Sequence, residues 1–173
     1  MKIKKLSSIV GGQDGAIYNN YLFRFSSKGG CTVYDLTKIE ENMTSIAEFK
    51  LDKSDFIVPH SNSVIFGNEF FAPEDEFPLL YSNVYNNYAK TEDKRVGICC
   101  VYRLVREGNT FSTTLVQLIK IGFTDDRGLW RSSGDIEDKR PYGNFVVDID
   151  KNQLWAFVMR DVENQTRYFS FDI

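Results

Sequence analysis

The sequence predicts an all-β chain built from a repeated unit of four short antiparallel strands. Three observations carry that reading. Aromatic residues make up 14% of the 173 positions, most of them Phe and Tyr, side chains that pack well on a pleated surface. Apolar and polar residues alternate along several short runs, as half-buried strands require, and no helical period of useful length interrupts them. Finally, Cys31-Thr32-Val33-Tyr34-Asp35-Leu36 recurs as Cys99-Cys100-Val101-Tyr102-Arg103-Leu104 and, more weakly, as Tyr168-Phe169-Ser170-Phe171-Asp172-Ile173, at offsets of 68 and 69 residues. Self-similarity at a fixed period marks a repeat architecture.

The other strands fall in phase around these copies. A first unit, roughly residues 11–58, contains Gly15-Ala16-Ile17-Tyr18, a turn at Asn19-Asn20, Tyr21-Leu22-Phe23-Arg24-Phe25, the first copy, and Ser45 to Leu51. A second unit, roughly 59–124, contains Ser63 to Gly67, a loop longer than a hairpin needs, Phe77-Pro78-Leu79-Leu80-Tyr81, the second copy, and Thr114 to Ile121. A third, roughly 141–173, contains Asn144 to Asp148, a turn at Asp150-Lys151-Asn152, Leu154 to Val158, and the third copy. An insertion occupies 122–142. The pair Tyr18-Asn19-Asn20-Tyr21 and Tyr85-Asn86-Asn87-Tyr88 is read as coincidence, because the second leads into the polar run Ala89 to Arg95.

Four-stranded units repeated around an axis make a β-propeller, which hides most sheet edges by radial repetition. The patterns Gly15-Ala16-Ile17-Tyr18 … Leu22-Phe23-Arg24-Phe25 … Val33-Tyr34-Asp35-Leu36 and Asp75-Glu76-Phe77-Pro78-Leu79-Leu80-Tyr81 resemble uncharacterised bacterial six-bladed β-propeller proteins. The resemblance covers nearly the whole chain and implies a fold; its motifs are strand and turn signatures and carry no catalytic residues. It implies that this chain is about the first half of such a propeller. About three blades do not close a ring, since propellers typically need four to eight. Three explanations stand: half of a protein about twice as long, a homodimer completing a six-bladed ring about a two-fold axis, or another all-β arrangement such as a sandwich.

Composition excludes several functions. A net charge of −3, with no basic stripe, gives no reason to expect nucleic acid. No run of about 18 apolar residues is present to span a membrane. The basic start Met1 to Lys5 is followed by a segment too short and polar for a signal peptide. That absence suggests the cytoplasm, with export left open. The three cysteines, Cys31, Cys99 and Cys100, lack disulfide or zinc spacing and read as small apolar strand residues.

Candidate chemistry is sparse. Asp14, Asn62 and Asn144 take corresponding places shortly before the first apolar run of each unit. Such a ring of short polar side chains would hold a sugar, a peptide or a hard cation; the plainer reading is that these residues make turns. His60, the single histidine, would serve as a base or ligand, or simply be solvated in its loop. The acidic run Glu74-Asp75-Glu76 reads as a solvated turn beside a sheet edge. Asp148-x-Asp150-x-Asn152 fails as a calcium loop, with Gln153 where glycine is required. In the insertion, Trp130 flanked by Arg131, with Arg140 and Tyr142 nearby, would stack on a sugar or a partner side chain. Asn42-Met43-Thr44 and Asn164-Gln165-Thr166 match the short glycosylation pattern. The expectation is a non-enzymatic propeller scaffold binding a protein or glycan, without cofactor or metal. Its alternative is a propeller hydrolase, lyase or lactonase with a metal in the central channel.

Overall fold

A computed structural model describes residues 7–39, 43–57, 59–84, 98–120, 123–124, 130–131, 142–160 and 165–173. The chain is all-β. Strands β1 (Asp14–Tyr18), β2 (Tyr21–Phe25), β3 (Gly30–Asp35) and β4 (Ala47–Lys50) form one antiparallel sheet in sequence order. Strands β5 (His60–Phe66), β6 (Leu80–Val84), β7 (Ile98–Glu107) and β8 (Thr110–Lys120) form the second, again in order. A two-residue pair, β9 (Phe123–Thr124) and β10 (Trp130–Arg131), stands apart. Strands β11 (Tyr142–Asp148), β12 (Gln153–Arg160) and β13 (Gln165–Asp172) make a third sheet. None of these sheets closes on itself. Among the described residues helix is confined to a 3₁₀ turn at Leu36–Lys38 and the single turn α1 (Ser54–Ile57).

Local chemistry explains the hairpins. Tyr18 pairs with Tyr21 across Asn19 and Asn20, whose φ angles of 45° and 63° are those of the tightest hairpin turn. Asn tolerates this left-handed region better than other non-glycine residues, and its twist matches that of the flanking strands. Gly29, at φ 75°, closes the next turn; a Cβ there would meet Ser54 Cβ at 2.9 Å. The segment 148–153 is a hairpin, as its failed calcium pattern suggests: Asp148 pairs with Gln153, and the Lys151 amide donates to Asp148 Oδ1.

The three sheets stack in chain order. Strand β1 lies against β5, β5 against β11, and the outer strands β4 and β8 also meet. The alternation of the repeat fixes what each face does. Phe23, Phe25, Cys31 and Val33 point from the first sheet into a core completed by Val64, Phe66, Leu80, Cys100, Tyr102 and Leu104 of the second. Tyr81, Cys99 and Val101, on the second sheet's opposite face, meet Phe145, Val147, Leu154 and Ala156 of the third. In the first two copies, then, the first and third residues of the repeat face the following sheet, and in the last two the second and fourth face the preceding one.

Strand β6 departs from the sequence expectation. It begins at Leu80 rather than Phe77. Pro78 has no N–H to give a ladder, and Phe77, 1% exposed, instead plugs the seam between the first two sheets. Its ring lies 5.6 Å from that of Phe23 and 6.1 Å from those of Tyr18, Tyr21 and Phe111. Edge-to-face and tilted pairs at such distances add to the gain from burial itself.

Candidate functional site

The most chemically dense region lies where β1, β5 and β11 converge, and it contains all three aligned polar residues. Its hub is Asn83, which is completely buried in β6. Asn83 Nδ2 donates to Asn62 Oδ1 at 2.7 Å and to Asn144 Oδ1 at 2.9 Å, and its Oδ1 accepts the Ser63 N–H at 3.1 Å. Both amide hydrogens and the carbonyl oxygen are therefore engaged. Ser63 Oγ donates to the Phe145 carbonyl at 2.9 Å, adding a second bond between the second and third sheets. Across the other seam, the Val64 N–H donates to Asp14 Oδ2 at 2.6 Å. At the outer end of that seam Asp52 Oδ2 accepts the Leu115 N–H at 3.0 Å. Asn62 and Asn144 thus meet at the Asn83 amide, the first within the second sheet and the second across to the third, while Asp14 is tied to the backbone of β5 across the other seam.

His60 opens β5 rather than lying in a loop, and it is half-buried. Both His60 (φ 59°) and Ser61 (φ 48°) adopt the left-handed conformation. They sit in a bulge: His60 pairs with Val84 and Val64 with Ser82, so β5 spends two more residues than β6 between those points. The bulge turns Ser61 fully inward, where its Oγ accepts from Ser82 Oγ at 3.2 Å.

The acidic run is not a solvated turn. Arg103 grips Asp75 through Nε to Oδ2 at 2.9 Å and Nη2 to Oδ1 at 2.5 Å, and only 5% of the Asp75 side chain is exposed. The Arg103 guanidinium holds the Asp75 carboxyl below its ordinary value. Arg106 holds Glu76 in the same two-pronged way, at 2.8 and 2.9 Å. Such forked pairs are directional as well as strong. Here they fasten the 67–79 loop onto β7, with Phe77 driven inward between them and the first two sheets.

Of the insertion residues, Trp130 pairs through its backbone with Thr124, and Tyr142 with Met159. Arg131 pairs with Phe123, while Arg140 lies outside the described residues. Also outside them are the Tyr85 to Tyr88 segment and both asparagines of the glycosylation patterns, Asn42 and Asn164. All three cysteines are buried, and burial pushes the Cys31 and Cys99 thiols well above their ordinary range. A thiol held protonated in this way is inert as a nucleophile. Among the described residues no group of three His, Cys, Asp or Glu side chains is placed to hold a metal ion, and no helix is long and apolar enough to cross a membrane.

Asn83 and the two arginines were missed in the sequence. The signal available for Asn83 was weak: a Ser-Asn pair inside the strand Leu80 to Val84, whose five residues are all buried. A polar pair in a fully buried strand needs partners. Comparison with protein-family models and with curated proteins gave no match.

Proposed function

We propose that this chain is a non-enzymatic binding scaffold of the β-propeller type, its three sheets serving as consecutive blades for a protein or glycan partner. The observation that carries this reading is that Asn83 is fully engaged within the chain. Asn62 and Asn144 each give their Oδ1 to Asn83, and Asp14 gives an oxygen to the Val64 amide. A catalytic or metal-binding channel requires such atoms to face a ligand; here the two asparagine oxygens face the Asn83 amide and an Asp14 oxygen faces a backbone N–H. The blade reading is supported by the sheet order, the side-by-side first strands and the constant facing of the repeat. A protein partner is favoured by the apolar residues on the outer face of the third sheet.

The competing reading, a metal-dependent hydrolase, lyase or lactonase, would draw its ligands from Asp14, Asn62, Asn144 and His60. Thermal melting with and without calcium or zinc separates the two, because a ligand bound only by the folded state raises its stability as RT ln(1 + [L]/Kd). No saturable rise is expected. A one-to-one, saturable rise in melting temperature that Asn62→Ala or Asn144→Ala removes would establish the enzyme reading instead.

A further inference from the structure

Each sheet joins its first strand to its second by a hairpin. The first sheet uses two residues, Asn19 and Asn20, and the third uses the four from 149 to 152, but the second spends thirteen, from Gly67 to Leu79. The long connection is held along its length. The Gly67 N–H donates to the Leu79 carbonyl at 2.9 Å and the Leu79 N–H to the Glu69 carbonyl at 2.7 Å, so its ends meet, as in a compact surface loop packed by its own side chains. Asp75 closes a tight turn, its N–H donating to the Ala72 carbonyl and its Oδ2 accepting the Ala72 N–H. Asn19 Nδ2 donates to the Glu76 carbonyl at 3.3 Å and Asn68 Nδ2 to the Ile149 carbonyl at 3.4 Å, which ties the loop to the hairpins of both neighbouring sheets.

This fastened loop holds apolar and charged groups out in solvent. Phe70 is 43% exposed and Phe71 55%, the reverse of Phe77. Between residues 67 and 79 stand four carboxylates, Glu69, Glu74, Asp75 and Glu76, and no basic residue. Arg103 and Arg106 neutralise Asp75 and Glu76. Glu69 and Glu74 are exposed and form no ion pair among the described residues. Nothing in the packing requires two phenyl rings and two unpaired carboxylates on so long a connection. Long loops in compact domains are commonly functional.

The loop itself shows which chemistry suits these groups. Each arginine that it holds is bound twice, by a carboxylate and by an aromatic ring. Arg103 grips Asp75 while lying over the Phe71 ring at 5.0 Å, and Arg106 grips Glu76 while lying over the Tyr21 ring at 5.5 Å. A planar guanidinium makes both contacts at once, whereas an ammonium is only a point charge. The Arg103 pKa is raised by its bond to Asp75 first and also by the Glu74 charge, which puts that unpaired carboxylate near the Arg103–Phe71 pair.

We propose that the outward side of this loop, Glu69, Phe70, Phe71 and Glu74, is a docking site for an arginine-bearing segment of a partner protein. Phe70 and the open part of Phe71 supply ring faces, and Glu69 and Glu74 supply carboxylates, the two ingredients that already hold Arg103 and Arg106. Because the loop is fastened in advance, little ordering is left to oppose binding. The inference rests on reading the chain as a binding scaffold, and it names the surface and the chemistry of the partner.

Fluorescence anisotropy with a labelled decapeptide of alternating arginine and serine tests it, on the full chain at about 0.15 M salt, where long-range attraction is screened. Saturable one-to-one binding is expected, and a lysine–serine peptide of equal charge should bind about threefold or more weakly. Phe70→Ala should raise the dissociation constant about three- to thirtyfold. The double variant Glu69→Gln, Glu74→Gln should raise it about two- to thirtyfold. All three side chains are exposed, so melting temperatures should match the parent, which separates lost contacts from lost structure. Glu48→Gln removes a charge from the exposed side of β4 and should leave binding unchanged. Absence of binding overturns the inference. So does equal binding of the lysine peptide, or an equal loss with Glu48→Gln, either of which would mean charge attraction alone. Binding of cellohexaose that Phe70→Ala removes and the glutamate variant spares would assign the rings to a glycan and also overturn it. Failure of the peptide with no effect of calcium or zinc strikes out this site and leaves the scaffold reading standing. The saturable metal-dependent rise described above defeats that reading whatever the peptide does.

Discussion

Replacing Asn83 by alanine tests whether the polar hub is a joint or a ligand site. The substitution deletes three hydrogen bonds, to Asn62, Asn144 and the Ser63 amide. At about 0.5–1.5 kcal/mol net per bond, the loss is about 1.5–4.5 kcal/mol, and the half-buried Ser63 N–H left behind places the expectation near 3 kcal/mol. For a chain of this length each kcal/mol lowers the melting temperature by about 2–4 °C, so a drop of roughly 6–12 °C is expected. Asn62→Ala and Asn144→Ala each remove one bond to the hub and should cost about 1 kcal/mol. Only the Asn144 bond crosses from the second sheet to the third. A double-mutant cycle between Asn83 and Asn144 should therefore show a coupling of about 1 kcal/mol, read from urea unfolding. A ligand site behaves differently: its polar groups are held out for a missing partner, and removing them leaves stability unchanged or improves it. Asn83→Ala within about 0.5 kcal/mol of the parent, or no coupling to Asn144, would refute the argument.

Two further outcomes follow from the loop fastened over β7. Phe77→Ala removes a ring surrounded by five other aromatics, Tyr18, Tyr21, Phe23, Phe66 and Phe111, and should cost about 3–5 kcal/mol in urea unfolding, with Phe77→Leu recovering much of it; a cost under about 1 kcal/mol would show that the seam repacks without the ring. The forked bond from Arg103 depresses the Asp75 pKa in the folded state. That stabilisation is fully present above the carboxylate's ordinary value of 3.8 and is lost as pH falls through the lower folded value. The melting temperature of the parent should therefore fall more steeply in this acid range than that of Asp75→Asn, and parallel curves would remove Asp75 from the account.

Much of this architecture can be read from local signals. Alternation in the repeat assigns Val33 and Val101 to one face and Tyr34 and Tyr102 to the other, because the strand period of two admits only two directions. Asn19-Asn20 marks its turn because few residues accept two successive left-handed positions. The sequence misplaces the start of β6 because Phe77 looks like a strand residue until it is seen filling a space made by residues of four other strands. The acidic run was misread for a similar reason: Arg103 and Arg106 lie 28 and 30 residues further along the chain. Nothing between them and the loop advertises the pairing. Asp14, Asn62 and Asn144 take corresponding places in the repeat, yet what Asn62 and Asn144 do depends on Asn83. That residue follows no motif and is distinguished only by being polar where its strand is wholly buried.

The bulge at the start of β5 shows why left-handed residues near converging strands need not signal catalysis. Holding His60 and Ser61 at positive φ costs on the order of 1–3 kcal/mol each, so the surrounding structure must over-determine them. In a regular strand, consecutive side chains point to opposite faces. Here Asn62 reaches Asn83 while the adjacent Ser63 reaches the Phe145 carbonyl, two neighbouring side chains both serving the seam with the third sheet. The two extra residues re-aim the strand to make that possible, and Ser61 is turned into the interior to meet Ser82. The strain is offset by bonds that tie sheet to sheet, whereas strain that prepares a catalytic group leaves that group facing an open site. Ser61 Oγ, Asn62 Oδ1 and Ser63 Oγ, all re-aimed by this bulge, end on other parts of the same chain, and for that reason the partner surface is sought on the exposed surfaces rather than at the convergence of the strands.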